Sequence, residues 1–198
     1  MKLLHLLLGD AYAGRITQES GRLELTYDEE WRSHPAAFPL STSMPLVVRS
    51  HPDEKLRPFL MGLLPDDPAV RRRWATRFGA SANNPFSLLS HVGEECPGAC
   101  RFVTTERLDA VLAGESDGVH WLDDDELEAR VLHLEQDRAA WISDSDPGYF
   151  SLAGAQAKFA VRREGGRWGI PTGGRATSHI VKPAIPGFPG ILENELST

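Results

Sequence analysis

A chain of 198 residues, 41% of them hydrophobic, is long enough for one large domain or two small ones around a buried core. A formal net charge of −7 argues against gripping nucleic acid through an overall positive field and leaves that role only to a local basic patch. The only two cysteines, Cys96 and Cys100, and the lack of a cleavable signal pattern fit a reducing cytoplasm, and the apolar start Leu3 to Leu8 is too short to span a bilayer, so no membrane attachment is expected.

Leu3 to Leu8, Tyr12 to Thr17 and the alternation Leu23, Leu25, Tyr27 predict a meander of short strands broken at Gly9-Asp10 and Ser20-Gly21. From Ser50 the period changes. Leu56, Phe59, Leu60 and Leu63 recur with helical spacing, and Ser50 with Asp53 has the form of an N-cap pair. Asp67-Pro68 starts a second helix with Val70, Trp74 and Phe78 on one face and Gly79 as its stop. Asn84-Pro85 starts a third, with Phe86, Leu89 and Val92 inward and Gly93 closing it; Ala99 to Thr104 returns to strand. The small, polar stretch Asp109 to Gly118 reads as a boundary between subdomains. Asp123-Asp124-Asp125-Glu126 then suits the positive end of a helix dipole, followed by Leu127, Val131 and Leu134 on one stripe. After a turn at Asp146-Pro147-Gly148 come strands at 158–162, 167–170 and 178–182, the first two joined by Gly165-Gly166. Pro183 to Gly190 reads as an irregular connection into a helix beginning near Ile191.

The chemistry concentrates in Ser151-Leu152-Ala153-Gly154-Ala155-Gln156-Ala157-Lys158 and in His179-Ile180-Val181-Lys182. Small residues let backbone N–H groups approach a phosphate, and a lysine ending an apolar strand adds a compact positive charge. Loop, strand, hairpin, strand with lysine is also the order of a kinase's glycine loop and strand lysine. The loop is neither G-x-G-x-x-G nor G-x-x-x-x-G-K-[ST], so spacing alone favours an ordinary small-residue turn. Cys96 and Cys100 are not a C-x-x-C pair, the seven histidines form no H-E-x-x-H arrangement, and no metal site is expected in this chain. Arg71, Arg72, Arg73 and Arg77 with Lys55 and Arg57 read first as a solvated helix face and second as a partner face.

Several linked blocks resemble the HipA family of bacterial serine/threonine kinase toxins in that family's order. They are Gly21-Arg22-Leu23 with Tyr27 and Trp31, Pro39-Leu40-Ser41-Thr42-Ser43-Met44-Pro45-Leu46, Leu63-Leu64-Pro65-Asp66 with Arg71-Arg72-Arg73, Gly93-Glu94-Glu95-Cys96-Pro97-Gly98-Ala99, and the loop with its later lysine. The resemblance implies an α+β chain: residues 1–105 as the family's N-terminal subdomain of β-meander plus helices, and residues 106–198 as the start of a protein-kinase-like N-lobe, left incomplete. It implies ATP binding by Ala153, Gly154, Ala155, Gln156, Ala157, Lys158 and Lys182, with Mg²⁺ arriving with the nucleotide. It makes Ser151 a candidate autophosphorylation site, where a phosphate of about −1.5 to −2 charge would repel the ATP phosphates. Glu195 would take the place of the acid that pairs with a kinase's strand lysine.

The catalytic aspartate and the magnesium-binding aspartate of the family lie beyond the stretch this chain matches, so the chain is expected to be an inactive N-terminal portion of a longer kinase. The implied partners are a HipB-like helix-turn-helix antitoxin, operator DNA mainly through that antitoxin, and a protein substrate such as an aminoacyl-tRNA synthetase, with glutamyl-tRNA synthetase the family example and growth arrest and persistence the outcome. The alternative is a noncatalytic module that binds and restrains a kinase or antitoxin partner.

Overall fold

A computed structural model describes residues 1–96, 98–114, 116–143, 146, 150–173 and 175–184. Pro147 and Gly148 of the expected turn, most of the connection after Pro183, and the helix start with Glu195 lie outside the described residues.

The opening meander forms as the alternation predicts. Strands β1 (Lys2–Leu8), β2 (Ala11–Glu19) and β3 (Arg22–Tyr27) pair antiparallel in succession. In β3, Leu23, Leu25 and Tyr27 point into the core while Arg22 and Glu24 face water, the period-2 pattern of a half-buried strand. A short helix α1 (Glu29–Ser33) follows, capped by the Asp28 carboxylate and anchored by buried Trp31. Strand β4 (Ser50–Pro52) adds to the outside of β3, which corrects the expected N-cap at Ser50. Ser50 lies opposite Thr26, and helix α2 (Asp53–Gly62) begins after Pro52. Asp53 does not cap α2; its carboxylate accepts the Leu23 N–H at 2.9 Å and the Arg57 guanidinium at 2.7 Å, tying the helix start to the meander.

Helix α3 (Pro68–Phe78) and helix α4 (Pro85–Val92) start at the expected Asp67 and Asn84 caps, and Gly79 ends α3 in the left-handed region at φ 61°. Strand β5 (Cys100–Val103) closes the first sheet beside β1, giving the order β4-β3-β2-β1-β5. Gly93, between α4 and β5, is required by close approach: a Cβ there would lie 2.3 Å from the Leu89 carbonyl oxygen and 2.9 Å from the Phe102 Cβ.

The stretch expected to be a polar connection contains two elements. Helix α5 (Leu108–Leu112) buries Val111 against Leu7 and Val103, and β6 (Ser116–Leu122) is an edge strand of a second sheet. Helix α6 (Asp124–Gln136) starts at Asp123 with a complete capping box, Asp123 and Glu126 each accepting the other's backbone N–H. Strands β7 (Phe159–Glu164), β8 (Arg167–Gly173) and β9 (His179–Val181) complete a four-stranded antiparallel sheet of order β6-β8-β7-β9. The fold is α+β.

One continuous apolar cluster runs from Leu4 and Leu6 of the first sheet through Trp74 of α3 to Trp141, Phe159 and Ile170 beside the second. Of the basic cluster expected as a solvated face, Lys55 and Arg72 are exposed as that reading has it, while two arginines of α3 reach across the junction. Arg73 pairs with Asp137 at 2.6 Å, Arg77 donates to the Ser143 carbonyl at 2.8 Å, and Arg71 turns back to the carbonyls of Pro65 and Asp66. Among the described residues, no helix is long and apolar enough to cross a membrane.

Candidate nucleotide-phosphate site

Small residues give the loop 151–158 no core of its own, so its shape is imposed by neighbours. Ser151 is buried; its N–H donates to the Glu95 carbonyl at 3.0 Å and its hydroxyl to the Leu63 carbonyl. Gly154 forms a parallel bridge with Pro65, and its carbonyl accepts the Asp66 N–H at 3.0 Å. Farther along, the Gln156 side-chain amide donates to the Pro183 carbonyl at 3.4 Å, directly after Lys182. Leu63-Leu64-Pro65-Asp66, quoted above only as a family block, is therefore the seat of the loop.

Gly154 adopts φ 97°, a conformation open to glycine and strained for other residues. A Cβ there would also sit 2.9 Å from the Lys158 ammonium nitrogen. Lys158 is buried; it donates to the Ala153 carbonyl, closing the loop on itself, and its ammonium lies 5.0 Å from the centre of the Trp141 ring, within cation–π range. Ala155 is exposed at the tip. Among the described residues, no hydrogen bond within the chain takes up the backbone N–H groups of Ala153, Ala155, Gln156 or Ala157.

Half-buried Lys182 follows β9. Because Val181 pairs with Phe159 in an antiparallel ladder, the end of β9 and the start of β7 are neighbours, which brings Lys158 and Lys182 to the same end of the second sheet. The loop, its unspent N–H groups and both lysines thus share one end of one sheet. The Ser151 hydroxyl faces the protein interior, against Leu63 and the Cys96 thiol.

The surroundings are polar and mostly paired. The Glu95 carboxylate accepts both the N–H and the hydroxyl of Thr177, at 2.6 and 2.5 Å, and burial pushes its pKa above the ordinary glutamate value. Cys96 and Cys100 are reduced and buried, with their thiols in contact. The hydrogen bond to Cys100, together with burial, raises the Cys96 thiol well above its ordinary value. Among the described residues, no cluster of three histidine, cysteine or acidic side chains is placed to hold a metal. Glu95, Thr177 and Trp141 were not legible as site residues. Glu95 meets Ser151 and Thr177 across 56 and 82 residues and Trp141 meets Lys158 across 17, and no local spacing marks them.

A cavity of about 310 Å³ lies elsewhere, between β6 and α6, lined by His120, Glu126, Arg130, His133 and Asp146 among others and by no residue of the loop. Its Arg130–Asp146 pair is buried and bidentate, at 2.8 and 2.6 Å, and so serves the wall of the cavity.

The sequence profile described as the HipA N-terminal domain matches residues 4–103. Y4mE of Sinorhizobium fredii, a kinase by name, is 31% identical over 197 residues, which cover 98% of this chain and 46% of Y4mE. The serine/threonine-protein kinase toxin HipA of Shewanella oneidensis is 26% identical over 188 residues, 90% of this chain and 39% of that protein. The solved complex of the Shewanella oneidensis MR-1 HipA, HipB and operator DNA contains a chain of the same fold, with a TM-score of 0.67 and 23% identity over 89% of this chain and 39% of that one. The chain thus spans less than half the length of these relatives. With the first sheet and its helices coinciding with the matched domain, this chain belongs to the HipA family and carries its N-terminal portion.

Proposed function

We propose that this chain is the nucleotide-holding N-terminal portion of a HipA-type serine/threonine kinase toxin, with the loop 153–158 and Lys182 forming one half of a Mg-ATP site. The observation that carries the reading is the set of backbone N–H groups on Ala153, Ala155, Gln156 and Ala157 that take no partner among the described residues, in a loop held in place through Ser151, Gly154 and Lys158 and next to the strand that leads into Lys182. Such N–H groups bind phosphate oxygens, and the Lys182 ammonium adds charge opposite them. Lys158 plays a structural part, holding the loop closed through Ala153.

Phosphoryl transfer also needs an aspartate to orient the attacking hydroxyl and further ligands to hold Mg²⁺. Those groups belong to the remainder of the longer kinase, so this chain binds nucleotide without transferring phosphate. The full protein would phosphorylate a protein target, an aminoacyl-tRNA synthetase by family example, and arrest growth in the cytoplasm. A HipB-like antitoxin would restrain it and tether it to operator DNA. The HipA–HipB–operator complex of Shewanella oneidensis supports that partner. Phosphorylation of Ser151 would require the loop to leave its seat, because the hydroxyl is buried against Leu63.

Isothermal titration of Mg-ATP into the chain and into Lys182→Ala tests the half-site. Saturable heat is expected for the parent and its loss for the variant; equal heats from both would remove the nucleotide reading.

A further inference from the structure

We infer that Glu95 is a positioning residue for the nucleotide site, holding the start of the phosphate loop through its backbone and the approach to the Lys182 strand through its carboxylate. The inference rests on the nucleotide reading above. Glu95 sits in the turn between α4 and β5, and that turn is held by bonds of its own, separate from both contacts. The Phe102 N–H donates to the Gly93 carbonyl at 2.7 Å, Arg101 to the Glu94 carbonyl at 3.0 Å, and Arg107 grips the Glu94 carboxylate at 3.0 and 3.3 Å.

From this base the Glu95 carbonyl receives the Ser151 N–H at 3.0 Å, where the loop begins. Its Oε1 receives the N–H and hydroxyl of Thr177. One residue later, the Ser178 N–H donates to the Val161 carbonyl at 2.9 Å, and the Ser178 hydroxyl accepts the Arg163 N–H at 2.8 Å, setting β9 in register on β7. β9 is three residues long, too short to fix its own course, and Lys182 follows it immediately. A single residue of the N-terminal domain therefore holds both parts of the half-site, the donor loop and the strand lysine. Donors must be held within about 0.5 Å to act together on one phosphate group.

The Glu95 Oε2 is buried with no hydrogen-bond partner among the described residues. A neutral acceptor in its place would hold Thr177 at lower desolvation cost. That makes the conservative variant informative. In the 198-residue chain, Glu95→Ala removes the carboxylate contact and leaves the backbone contact to Ser151. Amide hydrogen exchange should accelerate at residues 177–182 while Ser151 and the β1–β3 ladder stay protected, and Mg-ATP affinity should fall about tenfold, the scale of a lost charge-assisted hydrogen bond. Glu95→Gln, which keeps an acceptor for Thr177, should restore affinity to within about threefold. Thr177→Val should mimic Glu95→Ala in direction and add little to it in the double variant.

Unchanged exchange at 177–182 in Glu95→Ala would overturn the inference. So would equal damage to β1–β3 and to β9 in both Glu95 variants, which would mark Glu95 as a general stability residue. If the parent chain gives no Mg-ATP heat, the nucleotide reading fails and the exchange pattern alone decides the role of Glu95. Should Glu95→Ala not fold, Thr177→Val supplies the same readouts, and normal exchange at 178–182 there counts against the role.

Discussion

Gly154 shows how one residue decides whether the loop can exist. Its φ of 97° strains any residue with a side chain, and a Cβ there would press on the Lys158 ammonium 2.9 Å away, which would have to shift. Gly154→Ala should therefore lower stability by about 1–2 kcal/mol through the left-handed conformation alone and weaken Mg-ATP binding as well. Thermal unfolding with a midpoint equal to that of the parent would contradict this. Glu95 gives a second prediction at this scale, about pH. Burial, its largest influence, raises the folded-state pKa, against the smaller opposing effects of Thr177 and Arg101. The folded protein then holds this proton more tightly than the unfolded chain does. Stability linked to Glu95 is complete below the ordinary glutamate pKa and is lost as pH rises through the raised value. Relative to the parent, Glu95→Gln should gain stability at pH 7 and little at pH 4; urea midpoints at the two pH values with the same difference would refute it. The sequence made Gly154 and Lys182 visible because a small-residue loop and a strand lysine have local signatures. It did not expose Glu95, whose partner Thr177 lies in another part of the chain.

Helix ends were legible for the same reason. Asp67, Asn84 and Asp123 act through N–H groups two or three residues away, and all three are found capping α3, α4 and α6. Asp123→Ala should break both bonds of the capping box and cost about 1 kcal/mol, read as an earlier loss of far-ultraviolet helix signal on heating. A superimposable melt would show that α6 is held by packing alone. The elements the sequence hid are short and depend on distant partners. β6 contains Asp117 and Gly118 and reads as a connection; its strand state comes from pairing with β8, some fifty residues later. β4 forms because β3 offers it an edge, which overrides the helix-start signal at Ser50. α1 and α5 are five residues each, too short for hydrophobic periodicity to register.

Across the whole molecule, the two sheets share one apolar core, and the junction is tightened by Arg73 with Asp137, by Arg77 with Ser143, and by the contacts of Leu63, Asp66 and Glu95 with the loop. The sequence placed a boundary at Asp109 to Gly118, and composition does change there. Packing crosses it without interruption: the apolar cluster is continuous, and Arg73 and Arg77 of α3 bond to the second half of the chain. The candidate phosphate loop consequently rests on the N-terminal domain, so a partner that deforms the seat at Leu63 to Asp66 would alter nucleotide binding. The cavity beside α6 is the competing location for a ligand, lined by His120, Arg130 and His133. An amide-resolved NMR titration of the chain with Mg-ATP separates the two. The account predicts the largest shifts at residues 151–158 and 180–182; shifts centred on His120, Arg130 and His133, or none at saturating nucleotide, would contradict it.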